Sequence, residues 1–448
     1  MSSFTLRETA LDILTKIGDQ GGFSHVLIDQ AMHHKGLSDR DGALLTEIVY
    51  GTLQRRDLIE FYTAPFITKQ KKLHAWVKWL LYMSVYQMKF LDKVPDHAII
   101  HEAVNIAKDK GHKGVASLVN GVLRNIQRKG VPSLETIEDP VERLAIETSH
   151  PRWMIQRWIG MYGFEVTERM AHANIHQKPA AVRIQPLKID REEAMRMLQE
   201  DGFEVTASQL SPQGIVIDSG NILKHPLFSE GKLTIQDQSS MLVAELMDLG
   251  PGLDVLDACS APGGKTTHMA ELMHDKGHIT AYDLHSNKAK MVEEKAVHLN
   301  LTTITASQAD SRHLQGKHSP ETFDRILIDA PCSGLGVLRS KPDIKYHKSE
   351  KDIEALSVIQ GELLKEIAPL LKPGGKLVYS TCTVDRAENE NVIGAFLEHH
   401  QDFEMDQAFF HYLPEMLKNS SGQSDVGLQI FPYQFDSDGF FLTRLQKR

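Results

Sequence analysis

Cysteine is almost absent from this chain: Cys259, Cys332 and Cys382 are the only three in 448 residues. An odd, widely spread set excludes a disulfide framework, so reduced thiols in a cytoplasmic protein are expected. No CxxC or CxxH pair is present, and no zinc or other metal site is expected. No stretch approaches the roughly 18 uninterrupted apolar residues of a membrane span. The N-terminus, Met1-Ser-Ser-Phe-Thr-Leu-Arg-Glu, has charges where a secretion signal needs an apolar core. Internal repeats and low-complexity tracts are also missing. Hydrophobic content of 41% and charged content of 24%, with ordinary glycine and proline counts, point to packed globular structure.

The length implies about three domains. A net charge of −9 argues against nucleic acid until it is divided along the chain. Residues 1–130 carry 18 Lys and Arg against 13 Asp and Glu, and the remainder carries 32 against 46. A basic front on an acidic body is compatible with phosphate binding, because counterion release depends on the local patch. A solvated helical surface with a lysine excess is the alternative.

From Thr5 to about Lys129 apolar residues recur at spacings of three and four (Leu6, Ala10, Ile13, Leu14, Ile17), which predicts an all-helical domain over residues 1–135. Lys69, Lys71, Lys72 and Lys78, with His74 and Trp76, are its most basic stretch, and Arg124, Arg128 and Lys129 close its last helix. Residues 136–235 read as linker helices, in which Trp153 and Trp158 are assigned to packing, followed by a small α+β unit. Its elements are Ala181-Val-Arg-Ile-Gln, a helix from Arg191 to Asp201 stopped by Gly202, Phe203-Glu-Val-Thr and Gly214-Ile-Val-Ile-Asp. That unit is an extra contact surface for the partner of the basic front or a spacer.

Over residues 236–448 strands alternate with helices: Asp254–Asp257, His278–Asp283, Thr303-Ile-Thr-Ala, Asp324–Asp329 and Gly375–Ser380, with a last pair of strands near Gly427 and Gly439. This alternation predicts a doubly wound parallel sheet. The first strand runs into Asp257-Ala-Cys259-Ser260-Ala261-Pro262-Gly263-Gly264-Lys265-Thr266, a glycine turn before a helix. It is not a Walker A loop, since Cys259 stands where that motif needs glycine, and no GxGxxG is present. Asp283, Asp310 and Asp329 then lie at or just past successive strand ends. Asp283 is placed to accept hydrogen bonds from ribose hydroxyls. Cys332, in Asp329-Ala-Pro-Cys332-Ser-Gly, and Cys382, in Ser380-Thr-Cys382-Thr, also follow strands, so both thiols face one crevice.

The front domain, through Pro95-Asp-His-Ala-Ile-Ile-His-Glu102-Ala-Val and Leu118-Val-Asn120-Gly121-Val-Leu-Arg124, resembles the NusB-type RNA-binding domain, with Asn120-Gly121 open to reading as a tight helix-packing point. The glycine turn together with the Pro-Cys and Thr-Cys motifs resembles the Sun/NSUN family of RNA 5-methylcytosine methyltransferases. Joined to a NusB-like front it is most similar to the RsmB (Sun/Fmu) branch, which acts on 16S ribosomal RNA. The resemblance implies a Rossmann-like class I methyltransferase domain using S-adenosylmethionine, a soluble monomer, and protein-free or early-assembly 16S RNA as partner. By motif, Cys259 to Lys265 line the methionine part of the cofactor, Asp283 the ribose, Asp310 the adenine side, and Asp329 both cofactor and target base. Departures are Ser260 for alanine, Ser340-Lys341 for Arg-His in the basic loop Arg339–Lys345, which the resemblance implies contacts RNA from the surface, and Tyr433 and Phe435 for histidines.

The chemistry implied needs thiols. Carbon 5 of cytosine is a poor nucleophile until a thiolate adds at C6, and a hydrogen bond or proton at N3, a task suited to Asp329, stabilises the adduct. An ordinary cysteine is only about a few per cent thiolate at neutral pH, so the site must assist, and Lys265 and Lys376 are candidates, Lys376 being expected to point to solvent. Spacing leaves the two thiols equivalent. The resemblance makes Cys382 the nucleophile and Cys332 the group that helps release product. The rivals are the same chemistry on transfer RNA or DNA, and a non-catalytic RNA-binding or antitermination factor.

Overall fold

The computed structural model describes residues 3–20, 22, 24–67 and 73–448. The chain forms two compact units, Met1–His176 with Leu338–His347, and Gln177–Val337 with Lys348–Arg448. Lys69, Lys71 and Lys72 lie outside the described residues.

The first unit is helical: α1 (Ser3–Gln20), α2 (Ser24–Lys35), α3 (Asp39–Gln54), α4 (Arg56–Thr63), α5 (Ala75–Phe90), α6 (Asp96–Lys110), α7 (Lys113–Lys129), α8 (Pro140–Glu147) and α9 (Arg152–Asn174). Residues spaced by three and four, such as Leu6, Ala10, Leu14 and Ile17, are buried in its core. Trp158 is fully buried against the His150 ring, a packing role. In α7 the buried stripe is Val119, Val122, Leu123 and Ile126. Asn120, Gly121 and Arg124 lie on the exposed face, and a Cβ on Gly121 would meet nothing within 4 Å. The packing explanation for Asn120-Gly121 is therefore wrong.

The basic loop also differs from its expected role. Within Leu338–His347, Arg339 Nε donates to the His176 carbonyl at 3.1 Å and Lys345 Nζ to the Gln54 carbonyl at 3.0 Å. Ser24 Oγ donates to Asp343 at 2.5 Å, and the Arg56 guanidinium stacks 3.4 Å over Tyr346. Burial lowers Lys345 to about 7. Both basic groups are buried and engaged with backbone carbonyls, which removes them from any RNA-facing surface. The turn α15 (Ile344–His347) belongs to this segment.

The second unit begins with β1 (Ala180–Ile184), α10 (Arg191–Glu200), β2 (Glu204–Ala207), β3 (Gly214–Ser219), α11 (Pro226–Ser229) and β4 (Leu233–Ile235). The four strands pair antiparallel in the order β2-β3-β1-β4. Gly202 ends α10 with φ +85, a left-handed conformation that glycine adopts without strain.

The larger sheet follows: α12 (Gln238–Glu245), β5 (Leu253–Asp257), α13 (Gly264–Leu272), β6 (Gly277–Asp283), α14 (Ser286–Leu299), β7 (Ile304–Gln308), β8 (Phe323–Asp329), α16 (Glu350–Ile367), β9 (Leu371–Thr381), α17 (Glu390–His399), β10 (Phe403–Met405), α18 (Ala408–Tyr412), β11 (Gln423–Ser424), β12 (Gly427–Ile430) and β13 (Phe440–Lys447). Strands β9, β8, β5, β6 and β7 are neighbours in that order and parallel, while β13 joins β9 antiparallel and makes the sheet mixed. Alternate residues bury on opposite faces, as a pleated strand requires: Leu256, Ile326 and Ile328 in one core, Val255 and Leu327 in the other. The chain passes from β5 to β6 on one side and later places β8 on the other. The crevice beyond the carboxyl ends of β5 and β8 is thus the topological switch point, where such sheets bind ligands. Among the described residues no helix is long and apolar enough to cross a membrane.

Candidate active site

After β5 the chain turns sharply into α13. Gly263 holds φ +90, and a Cβ there would lie 3.2 Å from the Val292 Cα, so both conformation and space call for glycine. Ser260 is accommodated because its hydroxyl donates to the Tyr282 carbonyl at 3.0 Å. Thr266 Oγ1 donates to Asp257 at 2.7 Å, and burial raises that carboxyl to about 7.

Two cavities flank this turn. The first, about 440 Å³, brings together Cys259, Ala261, Asp283, Asp310, Asp329, Cys332 and Cys382, with Pro331, Ile359 and Leu363 as an apolar wall. Asp283 accepts from the His285 amide at 3.1 Å and retains acceptor capacity toward the cavity. Asp310 is engaged by Arg312, which donates from its amide, Nε and Nη2 at 3.0, 3.1 and 2.8 Å and depresses the carboxyl to about 2. A glycine cradle, a carboxylate at the second strand end and an apolar slot fit S-adenosylmethionine, and the volume lies within the ordinary range for a small-ligand site.

The second cavity, about 230 Å³, shares Cys259, Ala261, Asp329 and Cys382 with the first and adds Ser260, Pro262, Gly264, Lys265, Gln236, Asp237, Lys295, Asp438 and Phe440. Asp329 stands between them. Its two oxygens accept from Lys265 Nζ at 2.6 Å and Ser380 Oγ at 2.8 Å. The acids and thiols selected from the sequence, Asp257, Cys259, Asp283, Asp310, Asp329, Cys332 and Cys382, therefore meet around these two cavities with Lys265, whereas Lys376 does not. That lysine lies along β9, six residues before Cys382, and is ion-paired with Asp248 at 2.7 Å and Asp406 at 3.4 Å rather than pointing to solvent.

The Sγ atoms of Cys332 and Cys382 are 3.3 Å apart, and no cysteine is in a disulfide. Their surroundings are unequal. The loop behind Cys332 is tied to Glu388: Ser333 donates its amide at 2.8 Å and its hydroxyl to that carboxylate, and Gln360 adds a bond at 3.1 Å. The hydrogen bond to Cys382, burial and the Glu388 charge all push the Cys332 thiol up, keeping it protonated. On the other side stands Lys265. Burial opposes its charge, but Asp329 and then Cys382 hold the ammonium above its ordinary value. The Cys259 thiol is raised by burial and by the four surrounding aspartates, which makes it inert.

Several residues of the site stand outside the glycine-turn, Pro-Cys and Thr-Cys motifs. Glu388 and Asn389 follow Thr-Cys-Thr closely. Asn389 accepts from Thr381 Oγ1 at 2.6 Å and donates to the Thr383 carbonyl at 3.2 Å, bracketing Cys382. The polar run Asp385-Arg-Ala-Glu-Asn before α17 is a signal that could have found them. Arg183 of β1 is fully buried. It pairs with Glu271 of α13 through bonds of 2.8 and 2.9 Å and donates to the Gly264 carbonyl at 2.9 Å and to Gln236. The small sheet thus supports the glycine turn and is more than a spacer. Asp237 and Asp438 share Lys178, and Ser437 Oγ donates to Asp237 at 2.6 Å. No group of three or more potential metal ligands occurs among the described residues.

Three family models match the chain: "16S rRNA methyltransferase RsmB/F" over residues 244–446, "NusB family" over 5–128, and "Methyltr_RsmF/B-like, ferredoxin-like domain" over 150–222. A probable ribosomal RNA small subunit methyltransferase B of Bacillus subtilis (strain 168) is 47% identical over 448 residues, covering 100% of both chains. A ribosomal RNA small subunit methyltransferase B of Proteus mirabilis is 33% identical over 453 residues, again covering 100% of each. Among solved structures, that of PH0851 superposes with a TM-score of 0.81 at 26% identity, covering 100% of this chain and 99% of that one. A methyltransferase homolog protein from Pyrococcus horikoshii gives 0.59 at 28% identity over 70% of this chain and 100% of its own.

Proposed function

This chain belongs to the RsmB/F family of 16S rRNA methyltransferases, and from that premise we propose that it methylates C5 of a cytosine in 16S ribosomal RNA through a covalent Cys382 adduct. It is an S-adenosylmethionine-dependent methyltransferase with a NusB-like front domain. The observation that carries the proposal is the unequal thiol pair. Cys332 has a carboxylate behind its loop and its thiol is pushed up, while Cys382, its sulfur 3.3 Å away in a hydrogen bond that either sulfur can donate, stands beside the Lys265 ammonium. A thiol next to a cation is a better nucleophile than one raised by a neighbouring carboxylate.

A cytosine in the smaller cavity presents C6 to Cys382. Addition of the thiolate forms the C6–S bond and moves the C5–C6 π electrons onto C5. S-adenosylmethionine, bound along Cys259–Lys265 and Asp283, supplies an electrophilic methyl group. Asp329 and Lys265, already sharing a hydrogen bond, serve N3 and the adjoining edge of the ring, where charge accumulates. Loss of the C5 proton and cleavage of the C6–S bond then restore the aromatic ring and the Cys382 thiolate. The C5 proton passes to solvent, and Cys332, in reach of the departing sulfur and keeping its own proton, donates a hydrogen bond that stabilises the Cys382 thiolate as the C6–S bond breaks. The target base has to leave any stack to meet both groups, which favours loop or single-stranded RNA.

The test is transfer of labelled methyl from S-adenosylmethionine to protein-free 16S RNA, followed by digestion to nucleosides. Label in 5-methylcytidine is expected. Label in another nucleoside, or transfer to transfer RNA alone, overturns the reading.

A further inference from the structure

We infer that Lys295 is a positioning residue that holds a phosphate flanking the target nucleotide at the mouth of the smaller cavity, an assignment that rests on the RNA-methylating role proposed above. Lys295 projects from α14 and lines that cavity. Its Nζ sits 3.8 Å from where a Cβ on Gly264 would be, beside the glycine turn. No hydrogen bond or ion pair joins it to any described residue. Other cations at this site are engaged: Lys265 with Asp329, Lys178 with Asp237 and Asp438, and Arg183 with Glu271.

The charges around the cavity are paired apart from this one. Asp237 and Asp438 share the Lys178 ammonium. Arg183 and Glu271, behind the glycine turn, neutralise each other, and Lys295 beside that turn adds a positive charge with no ion-pair partner among the described residues. Burial, and then Arg183, depress the lysine to about 8. A half-buried ammonium held at such a cost to its charge is matched by an incoming anion, and the anion attached to a flipped base is its own phosphodiester. With the base against Cys382 and Asp329, Lys295, which lines the same cavity, is left to meet the backbone.

The measurement is RNA affinity and kcat/KM with protein-free 16S RNA across a salt series, using the full chain, for wild type, Lys295→Ala and Lys295→Arg. Loss of one phosphate contact to single-stranded RNA reduces the slope of log affinity against log salt by about 0.7. Lys295→Ala is expected to show that reduction with roughly a tenfold higher KM for RNA, and Lys295→Arg to restore the slope. S-adenosylmethionine affinity, by calorimetry, should stay within about twofold in both, the cofactor turn being intact. An unchanged salt slope in Lys295→Ala overturns the inference. So does a large loss of S-adenosylmethionine affinity without a change in slope, which would place the lysine on the cofactor. If wild type makes 5-methylcytidine while Lys295→Ala keeps the full slope, this inference alone fails. If the slope depends on Lys295 but no 5-methylcytidine forms, the catalytic reading fails and the phosphate contact stands.

Discussion

Replacing Arg183 tests how the small sheet and the cofactor turn depend on one another. Arg183 and Glu271 are both fully buried and joined by two hydrogen bonds, and Arg183 also serves the Gly264 carbonyl and Thr267. Arg183→Ala leaves the Glu271 carboxylate buried without its partner. Breaking such a pair from one side costs about 3–5 kcal/mol, because desolvation of the remaining charge is no longer offset. At roughly 2–4 °C per kcal/mol for a unit of this size, the melting midpoint should fall by about 10 °C. Removing both charges together, as Arg183→Met with Glu271→Gln, should cost less than Arg183→Ala alone, since no ion is left in the interior. Guanidinium and thermal melts give the stability, and calorimetric titration with S-adenosylmethionine reads the turn. A single variant that melts within about 2 °C of wild type and binds the cofactor normally refutes the reasoning.

Other expectations follow from the same contacts. Asp257, raised by burial to about 7, favours its neutral form when folded. The associated stability is full below the unfolded value near 4 and is lost as pH rises through about 7. Asp257→Asn, which keeps an acceptor for Thr266, should therefore exceed wild type by about 2–4 kcal/mol at pH 8 and by nothing near pH 3.5 in urea melts. Lys265→Met removes the ammonium beside Cys382 and Asp329, so methyl transfer should fall sharply and the acid limb of its pH–rate profile should move to higher pH. An unshifted limb contradicts the electrostatic role of Lys265. Glu388→Ala strips the acceptor from both Ser333 donors and from Gln360, each buried group costing about 1–3 kcal/mol. RNA methylation should drop by about two orders of magnitude or more with little change in cofactor affinity, and a variant of normal activity would show that the loop needs no such support.

Much of the site was legible because its parts lie at strand ends, and strands betray themselves by short apolar runs. Asp283, Asp329, Cys332 and Cys382 could be placed at one sheet edge from order alone, by the geometry of parallel sheets. What separates the two thiols was not legible. It depends on Glu388 meeting Ser333 from 55 residues away and on Lys265 meeting Asp329 across 64. Arg183 reads as an ordinary polar position in a half-buried strand, yet it reaches Glu271 across 88 residues. The stretch Arg339–Lys345 misled in the opposite direction. Its charge suggested a surface, while its partners, Gln54 and Ser24, lie 291 and 319 residues earlier in the chain. Local pattern reports periodicity and turn chemistry, and tertiary pairing decides which charges are buried.

The division of labour between the two thiols is tested most directly by denaturing electrophoresis of the protein after incubation with S-adenosylmethionine and labelled, protein-free 16S RNA, for Cys332→Ala and Cys382→Ala. The account predicts a denaturant-stable RNA–protein adduct with Cys332→Ala, because attack proceeds and release stalls, and neither adduct nor methyl transfer with Cys382→Ala. An active Cys382→Ala, together with a Cys332→Ala that forms no adduct, would contradict it.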